Sequence, residues 1–344
     1  MTPELLRYLC DPVLKQPLQL LDATVDGDGS IVSGELVSVD GKRYPILGGI
    51  PRFCGTDGTS GRNVASFGDQ WNFFNFTDFK IHWLQHTVAN TFGSPDFFRG
   101  KVIVDAGGGS GAQSLWMLEH GAAHVIMLEL SHSVDDVVQK NIDTRHYRNF
   151  DVIQCSIDNP PIREESIPGI VYCHNVIQHT PSVEKTATAL FRLVAPGGEF
   201  AFNCYPLNDE GWWRWIRFHA IYSPLRALLK RQPFNVTLAY ARLMGVLRLL
   251  PAIGYCVEKL DLSRQGDVPR IEGEPVMKRL ARRYRSTVLN TFDKYGAHAY
   301  QHHKRNDEIR SLVRSLQPDQ NKVKNADKYF MRPQPIGCAL RVIK

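Results

Sequence analysis

The chain reads as an α/β protein: a doubly wound, mostly parallel sheet, preceded by a small β-rich module and interrupted late by a basic helical insert. Three observations carry that reading. Between residues 100 and 203 short β-branched runs alternate with stretches of helical periodicity, the pattern of repeated βαβ units. A glycine cluster, "VDAGGGSG" at 104–111, follows the first of these runs without a gap. Gly and Pro punctuation around short β-rich runs marks residues 1–55 as a unit of a different kind.

Taken in order, the periodicity predicts a strand at Val102–Asp105, a helix near Gln113–His120, a strand at His124–Leu128 and a helix around Ser133–Asn141. Strands follow at Asp151–Cys155 and Gly169–Asn175, then a helix at Ser182–Val194 and a strand at Glu199–Asn203. "GTDGTSGR" at 55–62 has the composition of a linker. The expected division is a β-rich module at 1–60, the sheet core at 61–206, a basic aromatic helical insert or lid at 207–290, and a return to the sheet at 291–344.

Composition narrows the class. The 344 residues are 43% hydrophobic and 22% charged, ordinary for a folded protein. Seven scattered cysteines form no C-x-x-C pair, so they read as reduced and largely buried thiols and no metal site is expected. The first residues, "MTPELLRYLCDPV", lack a basic region followed by an apolar run, and no stretch approaches the roughly 20 apolar residues of a spanning helix. A cytoplasmic protein is expected. The net charge of +6 is modest and becomes informative only where it is concentrated.

The glycine cluster poses the question of its ligand. Gly107, Gly109 and Ala112 fit the spacing of a dinucleotide fingerprint, so NAD or a flavin remains open on spacing alone. Asp105, two residues before the first glycine, would repel a pyrophosphate and suits a cation. Glu129, at the end of "VIMLELS", could accept both ribose hydroxyls of either kind of cofactor.

Five stretches in order, "VIVDAGGGSG", "VIMLELS", "VIQCSIDNPPI", "IVYCHNVIQHTPSVEK" and "LFRLVAPGGEFAFNCYP", resemble the class I S-adenosylmethionine-dependent methyltransferases over about residues 65–205. The resemblance implies a Rossmann-like sheet and S-adenosyl-L-methionine as cofactor. It implies that Asp105, Gly107 and Gly109 line the methionine end, Glu129 the ribose, and Ser156 with Ile157 the adenine. Asn175 and Val176 would close the far side. Ser156 departs from the family's frequent aspartate. "DNPPI" at 158–162 looks like the signature of base-amino methyltransferases, but it precedes the fourth strand and ends in Ile162, which cannot stack on a base, so it reads as a turn.

Residues 3–53 are similar to the small zinc-ribbon protein that activates tRNA and protein methyltransferases, most closely in "YPILGGIPRF". Asp11, Leu14 and Ser38 stand where that family has cysteines, so zinc coordination is not available. Packing of Leu5, Leu6, Leu18, Leu20, Ile46 and Ile50 is expected to hold the module instead, as a docking unit or a vestigial cap.

For a hydroxyl acceptor a base is needed, and His179, just past the fourth strand, is the first candidate. A loop-orienting role for it is equally open. Asp293 and His302, in "TFDKYGAHAYQHH", are further candidates, against a solvated polar loop. Phe67, Trp71 and Phe73 of "SFGDQWNFF" suggest a lid, or ordinary core. Between Trp212 and Leu250 lie seven Arg and Lys residues, five aromatic residues near the start, and no acid. That stretch reads first as a lid over a small-molecule acceptor, second as a membrane-surface contact making the protein peripheral, and third as an RNA surface. The leading function is methylation of a small-molecule hydroxyl on a sugar, polyketide-like or lipid-linked metabolite. An RNA methyltransferase and a degenerate cofactor-binding scaffold are the alternatives.

Overall fold

The computed structural model describes residues 1–54, 79–142, 146–207, 209–266, 268, 272–296 and 298–344. The expected linker at 55–62 and the aromatic segment with Phe67, Trp71 and Phe73 lie outside the described residues. The chain divides into two compact units, residues 1–205 with 300–344, and residues 206–299.

The first unit is built on a six-stranded sheet. Its strands are β5 (Val102–Ala106), β6 (His124–Glu129), β7 (Phe150–Gln154), β8 (Ile170–Cys173), β9 (Glu199–Phe202) and β10 (Leu340–Ile343), in the spatial order β10-β9-β8-β5-β6-β7. The numbering begins at β5 because four strands within residues 1–51, β1 to β4, precede them. All neighbours are parallel except β10, which runs antiparallel to β9 with Ile343 opposite Glu199. Arg341 clamps that last pair by a two-pronged bond to the Glu199 carboxylate, 2.7 and 3.0 Å. The strand order reverses at β5, which creates a crevice at the carboxyl ends of β5 and β8, the place where such sheets take ligands.

Alternation along the strands sorts side chains to two faces. Val104, Ala106, Ile126, Leu128, Val171 and Phe200 face one core, with helix packing from Val183–Leu193 and Asn306–Leu316. Ile103, Val125, Met127, Val152, Ile170 and Ala201 face the other, beneath helices α1 (Ala112–Glu119) and α2 (Ser133–Asn141). Because both faces are covered, the strands are apolar throughout. That is why the alternating runs predicted them to within a residue or two, as a Rossmann-like, doubly wound sheet.

Residues 1–51 carry their own antiparallel sheet of β1 (Gln19–Val25), β2 (Ile31–Val37), β3 (Arg43–Leu47) and β4 (Ile50–Pro51). This sheet covers the β7 edge of the large one: Arg52 bridges to Gln154, and the Phe53 N–H donates to the Gln154 carbonyl at 2.9 Å. An open edge strand is thereby paired. Leu5, Leu9, Leu36 and Ile46 are fully buried in the shared core, each contributing about 1.5–3 kcal/mol. Of the residues expected to hold the module, Leu5, Ile46 and Ile50 are buried, whereas Leu6, Leu18 and Leu20 are only partly so.

The positions that lack cysteines are held by hydrogen bonds. Asp11 Oδ1 accepts the N–H groups of Val13 and Leu14, both at 2.7 Å, and its Oδ2 accepts the Tyr44 hydroxyl at 2.7 Å. Ser38 closes the second turn, its hydroxyl donating to Asp40 and accepting the Lys42 N–H. Among the described residues no His, Cys, Asp or Glu group could hold a metal.

The second unit is helical: α4 over 212–229, then α5 (Phe234–Leu247), α6 (Pro251–Lys259) and α7 (Val276–Tyr295), where the number α3 belongs to Val183–Leu193 of the first unit. α5 packs closely on α7, since a Cβ at Gly245 would lie 2.8 Å from both Tyr284 and Val288. Tyr222, Leu229 and Tyr295 form its small core. Among the described residues no helix is long and apolar enough to cross a membrane.

The joint between module and sheet depends on one buried carboxylate. Asp151 accepts the Thr2 N–H at 2.7 Å, the Thr2 hydroxyl at 2.6 Å and an imidazole bond from His124 at 2.9 Å. Asp151→Ala leaves the buried His124 ring nitrogen and the half-buried Thr2 donors without a partner, so urea unfolding should show a loss of about 3 kcal/mol. A loss below about 1 kcal/mol would show that water replaces the carboxylate.

Candidate active site

At the end of β5 the chain turns back through three glycines with left-handed backbone, Gly107 (φ 83°), Gly109 (φ 60°) and Gly111 (φ 76°), before α1 begins. Gly107 is doubly constrained: besides its φ, a Cβ there would sit 2.4 Å from Val176 Cγ1. The N–H groups of Gly107 and Gly108 donate to the Leu128 carbonyl at 2.7 and 3.2 Å, which presses the turn against β6.

Glu129, the last residue of β6, fixes the next part of the turn. Its Oε2 accepts the Gly109 N–H and its Oε1 the Ser131 N–H, both at 2.8 Å. The Ser133 hydroxyl donates to the Gly109 carbonyl at 2.8 Å, and the Asn141 amide to the Ser110 carbonyl at 2.9 Å. A carboxylate offers about four acceptor positions, so Glu129 keeps capacity for a ligand's hydroxyls.

Asp105 is buried beneath the turn, where its Oδ2 accepts the Ser114 hydroxyl at 2.7 Å. Burial pushes its pKa up to about 6, against the pull of the Ser114 bond, and the nearby Glu129 adds to the rise. Neither residues 104–112 nor Glu129, Ser156, Ile157, Asn175 and Val176 include a Lys or Arg. Two carboxylates among these residues suit a ligand bearing positive charge and a diol, and oppose a pyrophosphate.

The remaining cofactor candidates fall around this turn in varied states. Ile157 is buried, while the Ser156 hydroxyl is engaged with Asp158, donating to its carboxylate at 3.4 Å and accepting its N–H at 3.3 Å. Asn175 adopts a left-handed φ of 58°, held by a reciprocal pair with Asn203: its N–H donates to Asn203 Oδ1 at 2.6 Å, and Asn203 Nδ2 donates back at 2.7 Å. Val176 lies across from Gly107. His174, next to this pair, donates from Nε2 to the Gly337 carbonyl at 3.2 Å, and burial lowers its pKa to about 4, so it is neutral.

The proposed bases separate. His179 and His302 come together: the His302 N–H donates to the Gln178 carbonyl at 2.8 Å and its Nε2 to the Thr180 carbonyl at 3.0 Å. His179 Nδ1 donates to the Tyr300 carbonyl at 3.1 Å. A carbonyl can only accept, so the neutral His179 ring carries its proton on Nδ1 and its basic lone pair on Nε2. Asp293 belongs to the helical unit, 3.6 Å from His298 Nε2.

Sequence reasoning missed Ser114, Ser133, Asn141 and Asn203, the polar side chains that set the turn and the β8 end. It also missed Gln178, fully buried with neither amide atom hydrogen-bonded among the described residues. Short polar residues flanking a glycine turn were the available signal.

Residues 104–202 match the family described as "Methyltransferase domain". The chain is 27% identical over 149 residues to the ubiquinone/menaquinone biosynthesis C-methyltransferase of Bartonella bacilliformis, covering 41% of this chain and 56% of that protein. It is 26% identical over 141 residues to the ubiquinone biosynthesis O-methyltransferase of Erwinia tasmaniensis, covering 39% and 51%. The chain thus spans about half the length of the curated relatives it matches. A solved S-adenosylmethionine-dependent methyltransferase from Mesorhizobium loti aligns with a TM-score of 0.28 at 25% identity, over 32% of this chain and 50% of that one. Residues 104–202 are thus similar to methyltransferase domains, and that similarity implies S-adenosylmethionine as cofactor.

The Asp105 pKa of about 6 sets a pH dependence. The ionised form carries its burial cost above that pH, and the cost is relieved as the group protonates below it. A ligand's α-ammonium, which S-adenosylhomocysteine also carries, would favour the ionised form and must displace the proton. The Kd of S-adenosylhomocysteine, measured by calorimetry, should therefore be flat above pH 6 and rise by up to about tenfold per pH unit below it. Asp105→Asn should remove that slope and weaken binding throughout, and a slope that survives the substitution would assign it elsewhere.

Proposed function

We propose that the chain is an S-adenosylmethionine-dependent methyltransferase acting on a small-molecule hydroxyl, on a sugar, polyketide-like or lipid-linked acceptor. The observation that supports this best is the pair Asp105 and Glu129, two carboxylates around a glycine turn whose set of residues holds no cation. S-adenosylmethionine supplies a methyl group on a cationic sulfur. Asp105 would balance the charge at its amino-acid end, Gly107 and Gly109 would let the backbone approach, and Glu129 would accept the ribose hydroxyls. Ile157 would offer an apolar wall to the adenine. Because the Ser156 hydroxyl is turned to Asp158, backbone groups would receive the adenine amino group there.

His179 is the proposed base, through Nε2, with Nδ1 oriented by the Tyr300 carbonyl. His302 is assigned a positioning role, since its ring and backbone both tie the 300–303 segment to residues 178–180. Asp293 is set aside as partner of His298. The relatives are named for methylation at carbon and at oxygen, which supports a small-molecule acceptor; the histidine favours oxygen.

Calorimetry with S-adenosylhomocysteine and with NAD tests the cofactor reading. Binding of the first alone is expected, binding of neither would favour the degenerate scaffold, and binding of NAD alone would overturn the assignment. With a panel of hydroxyl acceptors and S-adenosylhomocysteine release as readout, His179→Ala should lower turnover at least about 100-fold while leaving cofactor affinity within about twofold. Unchanged turnover would leave His179 a loop residue.

A further inference from the structure

We propose that the helical unit, residues 206–299, docks on an anionic lipid surface through the apolar outer face of α5 and the tryptophans at the start of α4. The inference stands on charge and exposure and does not depend on the chemistry proposed above. Residues 206–299 hold 16 Lys and Arg against 8 Asp and Glu, a net +8, whereas the rest of the chain nets −2. All of the protein's basic excess lies in about a quarter of its length. Even if every acid in the unit paired with a base, eight cations would remain.

The apolar surface is concentrated in the same unit. Of 22 large hydrophobic side chains exposed among the described residues, 13 lie there. α5 has two apolar faces. Leu238, Ala241, Met244 and Gly245 are buried, and Gly245 meets Tyr284 and Val288 of α7. Val236, Leu243 and Val246, with Leu250 just beyond, lie on the exposed side and are 43–54% accessible. That exposed apolar stripe, which sits beside Arg242, lacks among the described residues the apolar neighbour that an apolar helix face ordinarily packs against. α4 begins with Trp212, Trp213 and Trp215, of which Trp212 is 75% exposed, with Arg214 among them.

Lipid fits this combination better than RNA does. Counterion release at phosphates rewards the cations alone and gives nothing for exposed Val and Leu. A membrane interface rewards both, since Trp settles at the headgroup level, aliphatic side chains enter the acyl boundary, and Arg or Lys pairs with anionic headgroups. The described helices are too short and too polar to span, so the contact is peripheral.

Flotation of the full chain with phosphatidylcholine vesicles, with and without phosphatidylglycerol, tests the proposal, with tryptophan emission followed in parallel. Binding to the anionic vesicles alone is expected, with a blue shift. The double variants Trp212→Ala with Trp215→Ala, and Leu243→Ser with Val246→Ser, should each weaken it at least tenfold while keeping the unfolding midpoint and the S-adenosylhomocysteine affinity. No binding to anionic vesicles, or binding unchanged in both variants, would overturn the proposal. Binding of single-stranded RNA that these variants leave intact, without vesicle binding, would give the surface to nucleic acid. Light scattering that shows a dimer made monomeric by Leu243→Ser with Val246→Ser, without vesicle binding, would give it to a second copy of the chain.

Discussion

Glu129 ends β6 with its carboxylate facing back across the sheet, and its two bonds to the Gly109 and Ser131 N–H groups tie the turn after β5 to the turn after β6. The first of those turns is one wall of the crevice at the carboxyl ends of β5 and β8, where strand order reverses. Gly107 can then lie against Val176, and the Asp105 carboxylate is sealed beneath, where burial raises its pKa. Without that bridge the left-handed glycines would be free to sample many conformations, because glycine has little intrinsic preference. The same carboxylate that orders the loop keeps acceptor capacity for a diol, so in the proposed function loop order and ligand recognition would be coupled in one side chain.

The amino-terminal sheet shows a second economy of partners. Two of its turns are closed by Asp11 and Ser38, and Tyr44 joins the first turn to the sheet. The module then shares the core of the large sheet and covers its β7 edge, so its stability comes from burial and from Asp151. Its contact also reaches the site side of the fold: Arg52 pairs with Asp135 at the start of α2, the helix whose Ser133 and Asn141 hold the glycine turn. A module able to order α2 can influence the cofactor turn without touching a ligand.

The strands of the large sheet were legible because a parallel strand covered on both faces is an apolar run bounded by polar turns, as in "KVIV" and "HVIMLE". The glycine turn and Glu129 were legible because their partners lie within about two dozen residues. What remained hidden depends on distant pairs. Thr2 and Asp151 are 149 residues apart, and His302 and Thr180 are 122 apart. No periodicity marks such contacts. The histidines illustrate the consequence: chosen by residue type as bases, His179 and His302 both spend a ring nitrogen on a backbone carbonyl, and only the three-dimensional structure assigns their tautomers. Ser156 was hidden for a different reason: its hydroxyl is drawn to Asp158, a local partner two residues on.

The most direct measurement is calorimetric titration of S-adenosylhomocysteine into the full chain and into Glu129→Gln, with the unfolding midpoint of each recorded. The amide keeps the shape of the carboxylate and one acceptor oxygen, so it can hold the Gly109 or the Ser131 N–H but not both, and it loses the charge. If Glu129 both orders the turn and receives the ribose, affinity falls at least about tenfold, as one or more bonds to a charged group are lost, while the protein stays folded. Equal affinity in a folded variant would contradict the account and move the cofactor away from this turn.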